Sequence, residues 1–134
     1  MPLLVWNEAL SVNNELFDRQ HRKIAELIND LHDGMVAAKN REELDAAIDS
    51  LIACTRFHFA EEEQHMKKHS YPGLKAHKFE HDMLMQQVQD LQRQYRAGNT
   101  LLTPGVMMFL KNWLILHIQR DDMKFGAYIN DRAS

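Results

Sequence analysis

The sequence predicts an all-α protein, an up-down-up-down four-helix bundle with an N-terminal arm. Three observations lead to this prediction. Apolar residues recur at steps of three and four along four long segments, no segment shows the alternation of a β-strand, and the connections are short. With 134 residues, the chain is long enough for a hydrophobic core, and we expect a single domain over residues 1–134.

The chain begins with an arm and a first helix. Residues 1–17 carry large apolar side chains without a clean helical period, so we expect an arm that packs over the bundle. The first helix is predicted over about 18–38, with Asp18 as its N-cap. Its inner face carries His21, Ile24, Ile28, Leu31 and Met35.

Three further helices follow. The second is predicted over about 41–66 and the third over about 74–97, separated by the strong break Tyr71-Pro72-Gly73. Gly98 ends the third helix, and Thr103-Pro104 begins a fourth that extends to about 124. Their inner faces carry Leu44, Ile48, Leu51, Thr55, His58 and Glu62, then His77, His81, Leu84, Val88, Leu91 and Tyr95, then Val106, Leu110, Trp113 and His117.

Composition and charge argue against several classes of protein. A net charge of −3 gives no basic surface for nucleic acid or an anionic membrane. The one cysteine, Cys54, excludes an internal disulfide and a cysteine-based zinc site. No apolar run approaches the roughly 20 residues of a membrane span, and the first residues do not resemble a signal peptide. We therefore expect a cytoplasmic protein without a nucleic-acid partner or a membrane span.

The placement of the histidines is the most informative feature of the predicted bundle. In an up-down bundle, the start of the first helix, the end of the second, the start of the third and the end of the fourth lie at the same end. Histidines and carboxylates occupy inner positions in these four places, so we expect them to form one layer. The seven residues are His21, His58, Glu62, His77, His81, His117 and Asp122.

Such a layer indicates a metal site. Five buried imidazoles would each need a partner, and two neighbouring carboxylates would repel each other unless cations lay between them. Imidazole and carboxylate ligands without thiolate suit iron, manganese or zinc, and seven ligands suffice for two ions. If both carboxylates and a solvent-derived oxygen bridge two irons, a division of five histidines into three and two leaves one ion with an open position. A small molecule can bind there.

The same residues closely resemble the hemerythrin family over nearly the whole chain. No single motif is specific, but the combination is. The motifs are Asp18-Arg-Gln-His21, His58-Phe59-x-Glu61-Glu62, His77-x-x-x-His81 and Trp113-Leu114-x-x-His117-Ile118-x-x-x-Asp122.

The resemblance implies a non-haem di-iron centre with an oxo or hydroxo bridge. One iron would be bound by three histidines and the other by two, with both carboxylates bridging. The assignment is His77, His81 and His117 for the first iron, His21 and His58 for the second, and Glu62 and Asp122 for the bridges.

The family's function is reversible dioxygen binding at the iron with two histidines. By resemblance, Phe59, Leu114 and Ile118 form the apolar lining of the dioxygen pocket. The expected role is oxygen storage, delivery or sensing rather than catalysis. Dioxygen is the expected partner, and delivery would add a protein recipient of oxygen.

The alternative is a di-iron enzyme that handles peroxide or nitric oxide, such as a peroxidase or oxidase. Carboxylate-rich di-iron enzymes usually carry two Glu-x-x-His motifs. Here the one clear example is Glu62 with His65, and the predicted ligands are mostly histidines. This composition favours reversible binding.

The position of Asp122 does not fit a regular helix. It follows His117 by five residues, which places it roughly 140° away around the axis, whereas Asp121 would point the same way as His117. The family spacing favours Asp122, so we predict a wide turn, a π-bulge, near 118–122. Asp121 as the bridging carboxylate is the alternative.

Other polar residues near the predicted layer have simpler interpretations. His65 and His69 are four apart, but they lie beside two lysines at the end of the second helix and are expected in a solvated end. Glu61 and Glu63 flank Glu62 and are expected to face solvent.

Overall fold

The structure, a computed structural model, describes residues 3–99 and 101–133, with side chains described as far as residue 131. The described residues form helices and no strand, which confirms the all-α four-helix bundle. The helices are α1 (Glu15–Val36), α2 (Arg41–Lys68), α3 (Leu74–Arg96), α4 (Pro104–His117) and α5 (Met123–Ala133). A π-helical turn, Ile118–Asp122, joins α4 to α5, and together these three segments form the fourth rod of the bundle.

Side-chain caps determine where the helices begin. Asn40 accepts a hydrogen bond from the backbone N–H of Glu43 at 2.8 Å, so α2 begins where the sequence predicts. Thr103 accepts one from the N–H of Val106 at 3.2 Å, and Pro104 follows as the first helical residue. The prediction for the start of the fourth helix is therefore confirmed.

The prediction of Asp18 as a helix cap is wrong. Helix α1 begins at Glu15, because Asn14 accepts a hydrogen bond from the N–H of Phe17 and already satisfies the first turn. Asp18 lies one turn inside the helix and is buried. Its carboxylate accepts hydrogen bonds from Ser11 Oγ at 2.6 Å and from the backbone N–H of Val12 at 2.8 Å, and so attaches the arm to α1.

The N-terminal arm packs against the bundle, as predicted. Asn29 pairs with the backbone of Leu4 in both directions, with two hydrogen bonds of 2.8 Å. Leu4, Leu10 and Val12 are buried in the common core. The carbonyl of Val12 passes so close to Gly126 on α5 that a Cβ there would lie 2.5 Å from its oxygen.

The break between α2 and α3 and the end of α3 lie where the sequence predicts. Tyr71-Pro72-Gly73 separates α2 from α3, and Gly98 takes the left-handed conformation, with φ of +78°, just after α3. Helix α1 packs against α2 and α4, and α2 packs against α3. Among the described residues, no helix is long and apolar enough to cross a membrane.

Candidate metal centre

The seven histidines and carboxylates of the predicted layer come together in one buried cluster. They come from the start of α1, the end of α2, the start of α3 and, in the fourth rod, the end of α4 and the π-helical turn. None is more than 5% exposed. The residues are His21, His58, Glu62, His77, His81, His117 and Asp122.

The cluster divides into two overlapping groups. In each group, one potential ligand atom per residue lies within 4.8 Å of all the others. Both groups contain the two carboxylates, and the histidines divide into three and two. We call them the three-histidine group (Glu62, His77, His81, His117 and Asp122) and the two-histidine group (His21, His58, Glu62 and Asp122).

In the three-histidine group, the Nε2 atoms point at one oxygen of each carboxylate. Glu62 Oε1 lies 2.6 Å from His77 Nε2 and 3.1 Å from His81 Nε2. Asp122 Oδ1 lies 2.9 Å from His77 Nε2 and 3.0 Å from His117 Nε2. These two oxygens therefore belong to this side of the cluster.

The other oxygen of each carboxylate faces the two-histidine group. Asp122 Oδ2 lies 2.8 Å from His21 Nε2 and 3.8 Å from His58 Nε2. Glu62 Oε2 lies 3.6 Å from His58 Nε2. The Nε2 atoms of His21 and His58 are 2.9 Å apart. Each carboxylate thus presents one oxygen to each group, which is the arrangement of a bridging ligand.

The surroundings of the buried carboxylate oxygens are those of metal ligands rather than of hydrogen-bonded carboxylates. Both oxygens of Glu62 and Oδ2 of Asp122 are fully buried without a hydrogen-bond partner, although imidazole nitrogens crowd around them. Ligands about 2.1 Å from an ion and at right angles to each other are about 3 Å apart. The spacings in the cluster, such as 3.2 Å between His81 Nε2 and His117 Nε2, match this value. The residues present therefore fit a pair of cations.

Hydrogen bonds to Nδ1 hold several of these imidazoles from outside. His81 Nδ1 pairs with Glu63 Oε2 at 2.9 Å, and His117 Nδ1 with Asp121 Oδ2 at 3.2 Å. His58 Nδ1 pairs with Gln20 Oε1 at 2.6 Å. Such contacts leave Nε2 free to bind a metal and fix the orientation of the ring.

The wide turn predicted near 118–122 is confirmed. Residues Ile118–Asp122 are π-helical, and this turn brings Asp122 onto the face of the rod that carries His117. Asp121 is directed instead at the outer nitrogen of His117 and belongs to neither ligand group.

A narrow cavity adjoins the two-histidine group on its apolar side. Phe59 and Leu114, two of the residues expected to line a dioxygen pocket, are in its wall, and the space is too narrow for a water-sized sphere. Ile118, the third residue of that expectation, lies outside this wall; it begins the π-helical turn, and its side chain is fully buried in the core. The wall is formed by His21, Ile24, Thr55, His58, Phe59, Leu84, Trp113, Leu114 and His117.

Comparison with known proteins agrees with this geometry. Residues 12–129 match the family described as the hemerythrin HHE cation binding domain. The chain belongs to the hemerythrin family. It is 36% identical to a bacteriohemerythrin of Methylococcus capsulatus over 131 residues, which cover 97% of this chain and 99% of that relative. A bacteriohemerythrin of Stenotrophomonas maltophilia is 33% identical, covering 99% of this chain and 88% of its own length.

Solved structures give the same result. The crystal structure of a wild-type hemerythrin superposes with a TM-score of 0.86 at 36% identity and covers 93% of this chain and 96% of its own. The family description names a cation-binding domain, which agrees with the buried cluster of histidines and carboxylates.

The charges in this hemerythrin fold act strongly on each other when metal-free. Burial lowers the pKa of His77, but hydrogen bonds to Asp122 and Glu62 outweigh it and raise that pKa to about 9. His117 behaves in the same way, with burial opposed by Asp122 and Asp121, and its pKa rises to about 10. Burial, followed by repulsion from Asp122, raises the pKa of Glu62.

At two other histidines of the cluster, His58 and His81, burial outweighs the attraction of Asp122. Burial lowers the pKa of His58 to about 4, and burial with repulsion from His117 holds the pKa of His81 far below its usual range. Neutral imidazoles are the form that binds a metal. The cluster thus already favours the metal-binding form at these two positions.

Several residues of this hemerythrin site have contacts that the sequence analysis did not predict. Glu63 was expected in solvent, but it is half-buried against His81; the contact joins α2 to α3, and no spacing within one helix signals it. Gln20 and Thr55 were likewise missed as partner and wall residues. The four-residue spacing of Asp121 from His117 placed both side chains on one face, but the contact is with Nδ1 of His117 rather than at the bridging position.

The remaining histidines lie outside the cluster. His65 and His69 are partly exposed at the end of α2, as expected, and His65 packs edge-on against Phe17 with ring centroids 5.3 Å apart. Neither belongs to a metal-binding group among the described residues.

Proposed function

We propose that this member of the hemerythrin family binds dioxygen reversibly at a pair of iron ions, in oxygen storage, delivery or sensing. One observation carries the proposal. Two buried carboxylates each turn one oxygen toward three imidazoles and the other toward two, and these oxygens are without other partners. Nitrogen and oxygen ligands without thiolate are those of non-haem iron proteins.

The ligands follow from the two groups. The ion in the three-histidine group has more protein ligands, so the open position belongs to the ion of the two-histidine group. In this proposal His77, His81 and His117 would hold one ion, His21 and His58 would hold the other, and Glu62 and Asp122 would be shared between them.

The cavity beside the two-histidine group is the proposed dioxygen pocket. A pair of ferrous ions supplies the electrons that reversible dioxygen binding requires. Phe59 stacks on the ring of His81, with centroids 3.8 Å apart and planes 7° apart, and Leu114 closes the wall at 3% exposure. These apolar side chains exclude water from the pocket, and a dry pocket favours release of dioxygen over its further reduction.

The decisive experiment combines an iron assay with anaerobic and aerobic optical spectra. Full-length protein reconstituted with ferrous iron should bind two ions per chain and develop a ligand-to-iron absorption band in air. Degassing should restore the colourless state in repeated cycles. Rapid, irreversible oxidation with consumption of peroxide would instead support the enzyme alternative and contradict this proposal.

Variants of the ligands test the site itself. His117→Ala and Glu62→Ala should each remove iron and lower the unfolding temperature of the iron-loaded protein, because metal binding adds to folding free energy. His32→Ala is the matched control, since His32 is a half-buried histidine outside both groups. Unchanged iron content in both ligand variants would contradict the assignment.

A further inference from the structure

The two histidine groups differ in the hydrogen-bond partner of the outer nitrogen, Nδ1, of each ring. In the three-histidine group, carboxylates accept from two of the three imidazoles: Glu63 from His81 Nδ1 at 2.9 Å and Asp121 from His117 Nδ1 at 3.2 Å. Glu63 and Asp121 are next in sequence to the shared carboxylates Glu62 and Asp122. They contact the Nδ1 side of the rings, away from the centre of the cluster.

The two-histidine group has weaker outer support. His58 Nδ1 pairs with the neutral amide oxygen of Gln20 at 2.6 Å. His21 Nδ1 is fully buried and has no hydrogen-bond partner. In the described part of the chain, no carboxylate is paired with Nδ1 of either ring.

This difference has a direct consequence for metal binding. A carboxylate that accepts from Nδ1–H fixes the tautomer and the orientation of the ring and makes Nε2 a stronger donor to the metal. An uncharged amide fixes the ring but adds less electron density, and an unpartnered nitrogen does neither. The number of imidazoles acts in the same direction, since one group has three and the other two.

We propose that Glu63 and Asp121 are positioning residues that make the three-histidine group the tighter metal site. This site fills first, and the two-histidine group is the weaker site and fills second. The inference rests on the proposed function, since it uses the same seven ligands. It adds an order of binding and the two residues that impose it.

The positions of these carboxylates make them suitable for testing. The side chains of Glu63 and Asp121 are 23% and 29% exposed, so an amide in either place opens no cavity in the core. Glu63→Gln and Asp121→Asn keep the shape of each side chain and remove its charge. Glu61→Gln is the matched control, because Glu61 is on the same turn of α2, 34% exposed, and lies 3.9 Å from His65 rather than beside a ligand.

The experiment is an anaerobic titration of the metal-free, full-length chain with Co²⁺, followed by visible absorption and calorimetry. Wild-type protein should bind Co²⁺ in two steps of different affinity. Glu63→Gln and Asp121→Asn should each weaken the first step by about 10- to 100-fold, the range typical of such outer partners, and leave the second largely unchanged. Glu61→Gln should change neither step.

Two further variants assign the steps and test the converse. His58→Ala should abolish the second step and keep the first, whereas His81→Ala should weaken the first. Gln20→Glu places a carboxylate beside His58 Nδ1 and should strengthen the second step by about tenfold. An unchanged second step in Gln20→Glu would contradict the proposed role of a charged outer partner.

The outcomes separate this inference from the proposed function. Two equal steps in the wild-type protein, or a Glu63→Gln variant that weakens the second step alone, would overturn the inference and leave the di-iron site intact. A wild-type chain that binds no Co²⁺ would overturn the proposed function itself. Metal-free Glu63→Gln should unfold at the same temperature as wild type; a large decrease would show a structural role and overturn the positioning role.

Discussion

His117 Nε2 lies 3.0 Å from Asp122 Oδ1, although Asp122 follows His117 by five positions along one helical rod. On a regular α-helix, this spacing would place the two side chains on different faces. The π-helical turn over Ile118–Asp122 takes up the extra residue and restores the common face. The distortion therefore lies where a carboxylate has to reach a cluster that the regular helix would miss.

This relationship gives different expectations for two neighbouring aspartates. Asp122→Ala should reduce bound iron to less than one ion per chain, because both groups lose a shared ligand. Asp121→Ala should retain both ions at saturating iron, since Asp121 contacts only the outer nitrogen of His117. Iron analysis after gel filtration measures the difference. If Asp121→Ala lost iron and Asp122→Ala kept it, Asp121 would be the bridging residue.

The pH dependence of the metal-free protein should reveal the buried cluster. The pKa values of His77 and His117 are raised from 6.5 to about 9 and about 10, so the folded chain keeps protons that the unfolded chain has lost. Their contribution to stability is complete below pH 6.5 and is lost as the pH rises to 9 and above. The unfolding temperature of metal-free protein should fall by at least about 5 °C between pH 6.5 and 9.

Bound metal should remove this dependence. Metal takes the place of the protons on the same nitrogens, and its binding becomes tighter as pH rises. Thermal scans with and without Zn²⁺ at matched pH values provide the comparison. A metal-free unfolding temperature that does not change over this range would show that the two histidines are not held in their charged form.

Much of the fold could be predicted from the sequence because its signals are local. The cap at Thr103, the break at Tyr71-Pro72-Gly73 and the turn at Gly98 each act through their own backbone. The start of α1 was misplaced because a contact outside the helix decides between two possible caps. Both Asn14 and Asp18 are good caps, and the choice depends on the arm, whose Ser11 and Val12 take the carboxylate of Asp18.

The part of the site that depends on spacing along one helix could be predicted from the sequence. Ligands four apart, such as His77 and His81, share a face, and the connectivity brings the four ends together. Contacts between helices, such as that of Glu63 with His81, depend on the rotation of each helix about its axis, which spacing along one helix does not give. The same limit explains why Thr55, which the sequence placed only on the inner face of its helix, was not expected in the cavity wall.

Leu114 should control the entry of water to the proposed pocket. Leu114→Ala should retain iron but speed autoxidation several-fold. Leu114 is 3% exposed and forms part of the cavity wall, so a smaller side chain there lets water into the cavity. Leu116→Ala is the control, since Leu116 lies two residues away and is 50% exposed. Decay of the oxygenated spectrum in air measures the rate. Equal rates in Leu114→Ala and wild type would exclude this role.

Thr55 provides the opposite test of the same pocket. Its hydroxyl is fully buried in the cavity wall and donates to the carbonyl of Leu51 at 2.7 Å. Rotation of this hydroxyl would give the pocket a proton donor, so Thr55→Val should slow autoxidation, whereas Thr55→Ser should keep the wild-type rate. The assay is the same as for Leu114. Similar rates in the Val and Ser variants would rule out a contribution from the hydroxyl.

The contact between the arm and α5 should be sensitive to a single methyl group. A Cβ on Gly126 would lie 2.5 Å from the carbonyl oxygen of Val12 and 3.2 Å from its Cβ, so the arm or α5 has to move. Gly126→Ala should therefore lower the free energy of unfolding by about 1–3 kcal/mol, the usual cost of overpacking. Urea denaturation of the metal-free protein measures this change without a contribution from bound iron.

Gly105→Ala is the matched control for this substitution. Gly105 is also helical, but the nearest atom to an added Cβ is Thr103 Oγ1 at 3.7 Å, an ordinary contact distance. Alanine there should be neutral or stabilising by up to about 1 kcal/mol, because alanine loses less backbone freedom in a helix than glycine. A Gly126→Ala variant as stable as Gly105→Ala would mean that the arm does not pack against α5 at Val12.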